Sequence, residues 1–238
     1  MNKIIITSLC CLAMLFSKGQ DQLIVDANAS LRKLSATFSS IIISNAIKVV
    51  ITQSDTESLA VSAAEEKHKD EIKTEIENNI LKIYFGGNNN WRSKDRHLKV
   101  YVSFKNLSLI NVSGASDVIA IGEINVKDLR VNVSGASTVK GEFYTDKLEL
   151  DLSGASKAVL IGKTAVLSIT SSGASDVDAY KLETSICNVS ASGASDIYVY
   201  VEKEINATAS GASNIKYKGS ATVNNMKASG AASISRGE

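Results

Sequence analysis

Serine is the potential nucleophile that recurs most regularly in this sequence. The motif Ser-Gly-Ala-Ser appears six times, and a seventh, altered copy reads Ser-Gly-Ala-Ala-Ser. A serine hydroxyl becomes a nucleophile only when a neighbouring base takes its proton. The sequence has two histidines, His68 and His97, and none between Asn106 and Glu238, where the motif recurs. The pattern therefore argues against serine-nucleophile catalysis and favours a backbone role for these serines.

Acidic residues also recur at a fixed place, three positions after the glycine of the motif. Asp117, Asp176 and Asp196 stand there, and two stacked carboxylates could share a calcium ion. Lys157 occupies the same position in another copy, where its charge would repel a cation. The glycine- and aspartate-rich nonapeptide of calcium-binding β-rolls is missing. The sequence therefore predicts no metal site, no cofactor and no catalytic residues.

The spacing of the motif indicates how these residues are positioned. Successive motif glycines are 21, 19, 19, 20, 18 and 19 residues apart. A period near 20 residues is typical of a solenoid, in which each unit buries its apolar side against its neighbours. We interpret the motif as a structural turn. Its glycines are Gly114, Gly135, Gly154, Gly173, Gly193, Gly211 and Gly230.

Apolar residues alternate before each motif with a period of two, which is typical of a strand with one buried face. Leu148, Leu150 and Leu152, for example, stand six, four and two residues before Gly154. The residue after the glycine is always alanine, and we expect these alanines to stack in a column inside the corner. The predicted fold is all-β: a single-stranded, parallel, right-handed β-helix, or solenoid, with rungs of about 19 residues.

The chain before the repeats contains a less regular series of predicted strands, such as residues 38–43 and 80–85. Solenoids need an atypical end that covers the core of the first rung. We therefore divide the chain into three parts. These are a signal peptide at 1–19, an N-terminal β region that caps the solenoid at 20–105, and the Ser-Gly-Ala-Ser solenoid at 106–238.

One loop of the N-terminal region, residues 86–97, combines the only tryptophan with basic residues. Trp91, Arg92 and Arg96 form our candidate ligand-binding set, because Trp91 could stack on a sugar or dock on a protein partner. The other interpretation is an ordinary polar hairpin loop with Trp91 folded back onto the strands.

The first 19 residues have the features of a secretory signal peptide. Lys3 is followed by the apolar residues 4–16 and by Ser17-Lys18-Gly19 as a small-residue cleavage pattern. The apolar run is too short to span a membrane, and no later segment qualifies. We therefore expect an exported protein that is not transmembrane and that lies in the periplasm, on the outer-membrane surface or outside the cell.

Cleavage after Gly19 would leave Cys187 as the only cysteine, at an inward strand position. We expect this thiol to be a small buried hydrophobe. Removing Lys3 and Lys18 from the 26 basic residues leaves 24 against 25 acidic residues, a net charge of about −1. This balance gives no electrostatic reason to bind nucleic acid or an anionic membrane.

Several segments together resemble the auto-transporter adhesin family that carries the head GIN domain. They are Phe38-Ser39-Ser40-Ile41, the run from Ala46 to Gln53, the segment from Asn79 to Ile83, and Val-Ser-Gly-Ala-Ser at Val112 to Ser116 and Val133 to Ser137. The resemblance covers residues 31–219. It implies a secreted bacterial right-handed β-helix, similar in shape to pectin-lyase folds but without their catalytic residues, with a role in adhesion or another cell-envelope function.

These observations predict a non-enzymatic, adhesin-like binding protein of the bacterial cell envelope. Its partner would be a glycan or a cell-surface protein, bound along an extended β-helix surface, and assembly into homo-oligomers stays open. One alternative is a polysaccharide-active enzyme of the lyase or hydrolase kind that uses the side of the helix as a groove. The other is a purely structural envelope protein without a specific small ligand.

Overall fold

The computed structural model describes residues 26–87 and 96–237, in which nearly all regular structure is β-strand. A single short helix, α1 (Glu66–Glu71), occurs in these residues. The strands are β1 (Ser30–Arg32), β2 (Ser40–Ile43), β3 (Lys48–Gln53), β4 (Ser58–Ser62), β5 (Ile72–Glu77), β6 (Ile80–Phe85), β7 (Lys99–Phe104), β8 (Leu109–Val112), β9 (Asp117–Asn125), β10 (Asp128–Val133), β11 (Thr138–Leu152), β12 (Lys157–Ser171), β13 (Asp176–Ala191), β14 (Asp196–Ala209), β15 (Asn214–Lys218), β16 (Thr222–Ala228) and β17 (Ser233–Arg236).

Each repeat forms one rung of a parallel solenoid with two faces. Face A contains the strands that lead into the motif: β8, β10, the second halves of β11 to β14, and β16. Face B contains those that leave it: β9, the first halves of β11 to β14, β15 and β17. These strands pair in parallel with their neighbours one repeat away, on both sides up to β15 and on one side at β16 and β17. The predicted fold class, a parallel β-solenoid with rungs of about 19 residues, is confirmed.

The motif turns the chain at the corner between face A and face B. All seven motif glycines have positive φ, between 66° and 79°. Adjacent corners also approach closely, since a Cβ added to Gly173 would lie 2.5 Å from the carbonyl oxygen of Gly154. Hydrogen bonds continue from rung to rung through the corner, where Ala174 N donates to the Gly154 carbonyl at 2.7 Å. Backbone conformation and close packing both require glycine here.

The prediction that the motif alanines stack inside the corner is wrong. Ala174 and its counterparts are exposed, and the second serine of the motif points inward instead. The exposed fraction is 2% or less for Ser116, Ser137, Ser156, Ser175, Ser195 and Ser213. The Ser175 hydroxyl donates to the Ser172 carbonyl at 2.8 Å and lies 3.3 Å from the Ser156 hydroxyl. A methyl group could not satisfy that carbonyl, so a small hydroxyl suits the interior of the corner better than alanine.

The core lies between the two faces and is built from the positions that the alternation predicts. Leu148, Leu150 and Leu152 are each 2% exposed or less, and Cys187 is fully buried. This pattern continues through β14 and fails at β16, where Met226 is half-buried and Ala228 is exposed.

The chain before the repeats supplies two further rungs, and their spatial order differs from their order in sequence. β2 and β3 pair in parallel with β8 and β9 on one side and with β6 and β7 on the other. The β2–β3 corner, Ser44-Asn45-Ala46-Ile47, lies beside the first motif, Ser113 to Ser116. Asn45 has a φ of 67°, close to that of the motif glycine beside it. This corner is therefore a degenerate copy of the motif, with asparagine in the glycine position.

Antiparallel strands and α1 cover the N-terminal end of the solenoid. β5 pairs with β6, β4 pairs with β7, and β1 pairs with β4, all antiparallel. Asn78 and Asn79, with φ of 51° and 62°, form the turn between β5 and β6. The Arg32 guanidinium donates to the carbonyls of Lys69 and Ile72 and so connects β1 to the end of α1. We call this the capped end.

The other end of the described solenoid has no such cover. β16 pairs only with β14, and β17 pairs only with β15, so both have an unpaired outer edge within residues 26–87 and 96–237. Val223 on β16 is 42% exposed, whereas its register partner Ile205 on β14 is fully buried. We call this the open end.

Candidate binding surfaces

The candidate loop of the sequence analysis is described only in part. Trp91 and Arg92 lie outside the described residues. Arg96 lies just before β7, where its guanidinium carbon stands 4.6 Å from the centre of the Phe85 ring. Its carbonyl accepts a hydrogen bond from Ala64 N at 2.8 Å. Arg96 is therefore half-buried against the capped end, and the structure shows this one member of the predicted set in contact with the strands.

A second surface, which the sequence analysis did not single out, lies on the outside of face B near the open end. It consists of Tyr180, Tyr198, Tyr200, Lys216 and Lys218, and we call it the tyrosine–lysine patch. The rings of Tyr180 and Tyr198 meet edge to face with centroids 5.2 Å apart. Lys218 Nζ lies 4.7 Å from the centre of the Tyr180 ring, and Lys216 Nζ lies 6.0 Å from that of Tyr198. The three rings are half-buried, so each still presents part of its surface to solvent.

The register of the solenoid brings these side chains together. Tyr198 pairs with Lys216 and Tyr200 pairs with Lys218, which places each lysine one rung beyond a tyrosine. Tyr180 belongs to the preceding rung, where the β13–β14 register shifts between Ala179 and Glu183. This irregularity adds residues to β13 relative to β14 and displaces Tyr180 towards Tyr198.

The patch combines flat aromatic surface with positive charge. Both ammonium groups lie within cation–π distance of a ring, and neither forms a salt bridge to a carboxylate in residues 26–87 and 96–237. Burial, followed by the charges of Tyr198 and Asp178, raises the pKa of Tyr180, so its phenol stays neutral at physiological pH. Phenol rings beside ammonium groups suit contacts with sugar rings, hydroxyls and carboxylates.

The sequence contained a usable signal for this patch. Tyr198 and Tyr200 occupy outward positions of one strand, five and seven residues after Gly193. Counting the same offsets in the next repeat gives Lys216 and Lys218. Tyr180 has the same offset, seven residues after Gly173. Counting does not show that the register shifts after Ala179, so it does not predict the contact of Tyr180 with Tyr198.

An open, shallow pocket of about 430 Å³ lies at the second corner of the solenoid, where face B returns to face A. Its lining consists of Asn125, Val126, Lys127, Tyr144, Thr145, Asp146 and Lys163. Two of the polar side chains here already have partners: the Tyr144 hydroxyl donates to Glu142 at 2.8 Å, and Lys163 Nζ lies 3.1 Å from Glu183. Those pairings leave the pocket less available to a ligand than the tyrosine–lysine patch.

The outward carboxylates of face A are also engaged. Arg130 Nε lies 3.2 Å from Glu149 and 3.6 Å from Asp151, and Lys147 Nζ also contacts Glu149. The Lys147 hydrogen bond holds the pKa of Glu149 below its usual value, the opposite of what a general acid needs. Within residues 26–87 and 96–237, no cluster of three or more histidine, cysteine or acidic residues could hold a metal ion.

The Cys187 thiol is inert in this structure. Burial among the core side chains raises its pKa well above the ordinary value, which suppresses the reactive thiolate.

The strands and their pairing define a parallel β-solenoid with two outer faces. Its sequence matches the family described as "Putative auto-transporter adhesin, head GIN domain" over residues 37–221, most of the chain. The chain belongs to this family. No curated protein matches the sequence.

Solved structures of bacterial proteins share this fold. A putative adhesin from Bacteroides fragilis superimposes with a TM-score of 0.80 at 21% identity, over 87% of this chain and 95% of that one. A putative adhesin from Parabacteroides merdae gives a TM-score of 0.68 at 19% identity, over 90% and 98%. A protein named as a putative lipid binding protein, from Parabacteroides distasonis, gives 0.65 at 21% identity, over 90% and 98%. The family and these neighbours thus carry the names of binding proteins.

No helix in the described residues is both long enough and apolar enough to cross a membrane.

Proposed function

We propose that this chain is an exported, non-enzymatic, adhesin-like protein of the bacterial cell envelope that binds a glycan or a protein through the outside of its solenoid. The observation that carries the proposal is the tyrosine–lysine patch, an aromatic and cationic surface on a regular, polar face. The family name and the adhesin names of the structural neighbours support the same role. The engaged carboxylates of face A support a binding role over a catalytic one.

The rigidity of the rungs favours binding by this patch. Tyr198 and Tyr200 stand on β14, whose first half pairs with β13 on one side and β15 on the other. Binding costs less when the contact groups are already ordered, because little conformational entropy remains to be lost. Tyrosine also loses little side-chain entropy for the area that it contributes. A glycan is the partner that we favour, since a sugar ring can lie on a phenol ring while its hydroxyls accept hydrogen bonds from the lysines.

The 86–97 loop is a second proposed contact. Arg96 is anchored at the capped end, and Trp91 and Arg92 precede it by a few residues. The capped end and the tyrosine–lysine patch lie near opposite ends of the solenoid. A long polymer could touch both, whereas a small ligand would use one.

A glycan array with protein that starts at Gln20 tests the proposal. We expect binding without release of reducing ends or unsaturated products. Tyr198→Ala should weaken binding about tenfold or more, the effect usual for a central aromatic contact. Tyr84→Ala is the matched control, because Tyr84 is an outward tyrosine on β6, far from the patch. Loss of binding in Trp91→Ala instead would place the contact on the loop.

Two results would contradict the proposal. Turnover of an acidic polysaccharide would favour the polysaccharide-active enzyme. If the protein reaches the envelope normally but binds neither glycans nor cell-surface proteins, the purely structural role would be the interpretation that stays.

A further inference from the structure

At the open end, the last described rung of the solenoid is covered by another rung on one side only. In every earlier repeat the inward residues are covered by rungs on both sides, whereas β16 and β17 have a neighbour on one side only among the described residues. Val223 is 42% exposed, Ala228 is exposed, and Met226 and Ile234 are half-buried. Exposed apolar side chains beside an unpaired strand edge form a surface that pairs readily with another chain.

The two ends of the solenoid carry opposite charge. Between Ile205 and Gly237 the sequence has four basic residues and no acidic residue, a net charge of +4. The cover at the capped end, residues 26–34 and 54–79 with β1, β4, α1 and β5, has nine acidic and five basic residues, so 5 − 9 gives −4. The molecule is therefore polar along its axis, even though its overall charge is close to zero.

Both ends also present a strand edge on the same face. β5 continues face A at the capped end, because it pairs with β6, β6 with β2 and β2 with β8. It has six residues, and its only strand partner in the described chain is β6. β16 is the outermost strand of face A at the open end, with seven residues. These edges are of similar length, and Glu75 and Glu77 on β5 are exposed, as is Lys227 on β16.

We propose that the open end of one copy docks on the capped end of a second copy, so that solenoids join head to tail. Contact between two open ends would bring Lys227 and Arg236 against the same residues of the other copy. Contact between two capped ends would bring Glu75 and Glu77 together. Only the head-to-tail arrangement sets opposite charges against each other while it covers the last rung.

This arrangement uses a different surface patch on each partner, and it leaves one end of each kind free. Because one end of each kind stays free, further copies can add through the same interface. The copies then form a fibre, or a ring if the rotation between neighbouring copies closes on itself. The sides of the solenoid, with the tyrosine–lysine patch, stay exposed along the assembly. Lys216 and Lys218 of the patch contribute to the charge of the open end. Lys227 and Arg236 lie outside the patch, so changing them tests the inference separately from the proposed glycan contact.

Sedimentation velocity with protein that starts at Gln20, at low and high salt over a range of concentrations, tests the inference. We expect self-association that weakens with salt, because exposed charges are screened beyond about 10 Å at 0.1 M ionic strength. The double variant Lys227→Glu/Arg236→Glu, and the double variant Glu75→Lys/Glu77→Lys, should each associate about tenfold more weakly than the unmodified chain. Lys157→Glu is the control, since Lys157 lies exposed on the side of the rod.

Mixing the two double variants distinguishes the arrangements. Each double variant neutralises one end and leaves the other end unchanged. In a one-to-one mixture the unchanged open end of the second variant can dock on the unchanged capped end of the first, so association should recover as mixed complexes. A monomer at every concentration in low salt would overturn the inference. Association without recovery in the mixture would overturn it too, because that result indicates contacts between like ends. Circular dichroism of each variant shows whether its β-structure is retained.

Discussion

The capped end and the open end finish the same solenoid in opposite ways. At the capped end the chain reverses, and the antiparallel strands β4 and β5 replace the parallel ladder with a different pairing. At the open end the repeat simply continues with smaller inward side chains, such as Ala207 and Ala209, until the described chain ends. Each added parallel rung has an unpaired outer edge like that of the rung before it. The parallel ladder is therefore covered only where the chain reverses and pairs in antiparallel.

The largest expected effect concerns the motif glycines of the interior and of the last rung. Gly173→Val should abolish folding or cost more than about 4 kcal/mol, because the φ of +79° and the Gly154 carbonyl both oppose a side chain. Gly230→Val should cost about 1–3 kcal/mol, since its Cβ would lie 3.0 Å from the Gly211 oxygen and the last rung can shift outward. Urea unfolding of both variants measures the difference. Equal losses would show that the last rung is as constrained as the interior.

A smaller effect is expected for a register pair in the core. Ile205→Ala should cost about 2–5 kcal/mol, because Ile205 is fully buried and packed from both sides. Val223→Ala, one rung further on, should cost less than about 1 kcal/mol, since Val223 is 42% exposed. Thermal unfolding at low protein concentration, where association is absent, compares them. A cost for Val223→Ala as large as that for Ile205→Ala would mean that something covers the open end.

The buried serine column gives a third comparison. Ser175→Ala should cost about 1 kcal/mol, because the hydrogen bond to the Ser172 carbonyl is lost inside the corner. The column stops after Ser213, because the last motif has Ala232 at this place and Ala232 is half-buried. Ala232→Ser should therefore change the free energy of unfolding by less than about 0.5 kcal/mol. A neutral Ser175→Ala would show that the column is not held by hydrogen bonds.

The smallest effect is a dependence on pH that is confined to the capped end. Burial acts to raise the pKa of Asp26, but hydrogen bonds from Lys99, Tyr101 and Ser62 outweigh it and lower the pKa below the usual 3.8. The stability that Asp26 contributes is present above that ordinary value and is lost as the pH falls through the lower, folded-state pKa. Because the pair is partly exposed, we expect less than about 1 kcal/mol.

Hydrogen exchange in β1 and β4 measures this dependence, and Asp26→Asn should remove it. Residues 205–237 contain no acidic side chain, so exchange in β15 to β17 should show no such step of its own. If hydrogen exchange accelerates at the same acidic pH in β1 and β4 and in β15 to β17, the effect comes from global unfolding rather than from Asp26.

The repeated part of the fold could be predicted from sequence because one constraint acts in every copy. Period-two alternation identified the buried Leu148, Leu150 and Leu152, and the recurring glycine identified the corner. The inward residue of that corner could not be identified in the same way. The alternation of inward and outward side chains is interrupted where the backbone bends with positive φ. Counting along the strand therefore predicts Ala174 inside the corner, whereas Ala174 is exposed and Ser175 is buried.

The irregular parts depended on contacts that no local pattern encodes. The corner at Asn45 lacks the motif glycine, and only its pairing beside Gly114 shows that it is a further copy. The outward positions of the tyrosine–lysine patch follow from fixed offsets within the repeat, but the contact between Tyr180 and Tyr198 depends on the register shift after Ala179. Of the predicted loop set, the structure places Arg96, and the role of Trp91 and Arg92 stays a prediction.

The position of β2 and β3 between two later rungs has a consequence for how the chain folds. Gln53 Nε2 donates to the Asn125 carbonyl across 72 positions, so the first-made rung cannot complete its pairing until Asn125 is available. Every rung after that closes a loop of only about 19 residues onto a finished template. Folding of the chain should therefore begin with one slow, long-range step. The remaining rungs should then form one after another, towards the carboxyl terminus. A nascent polypeptide released before that first step would have no template on which to build.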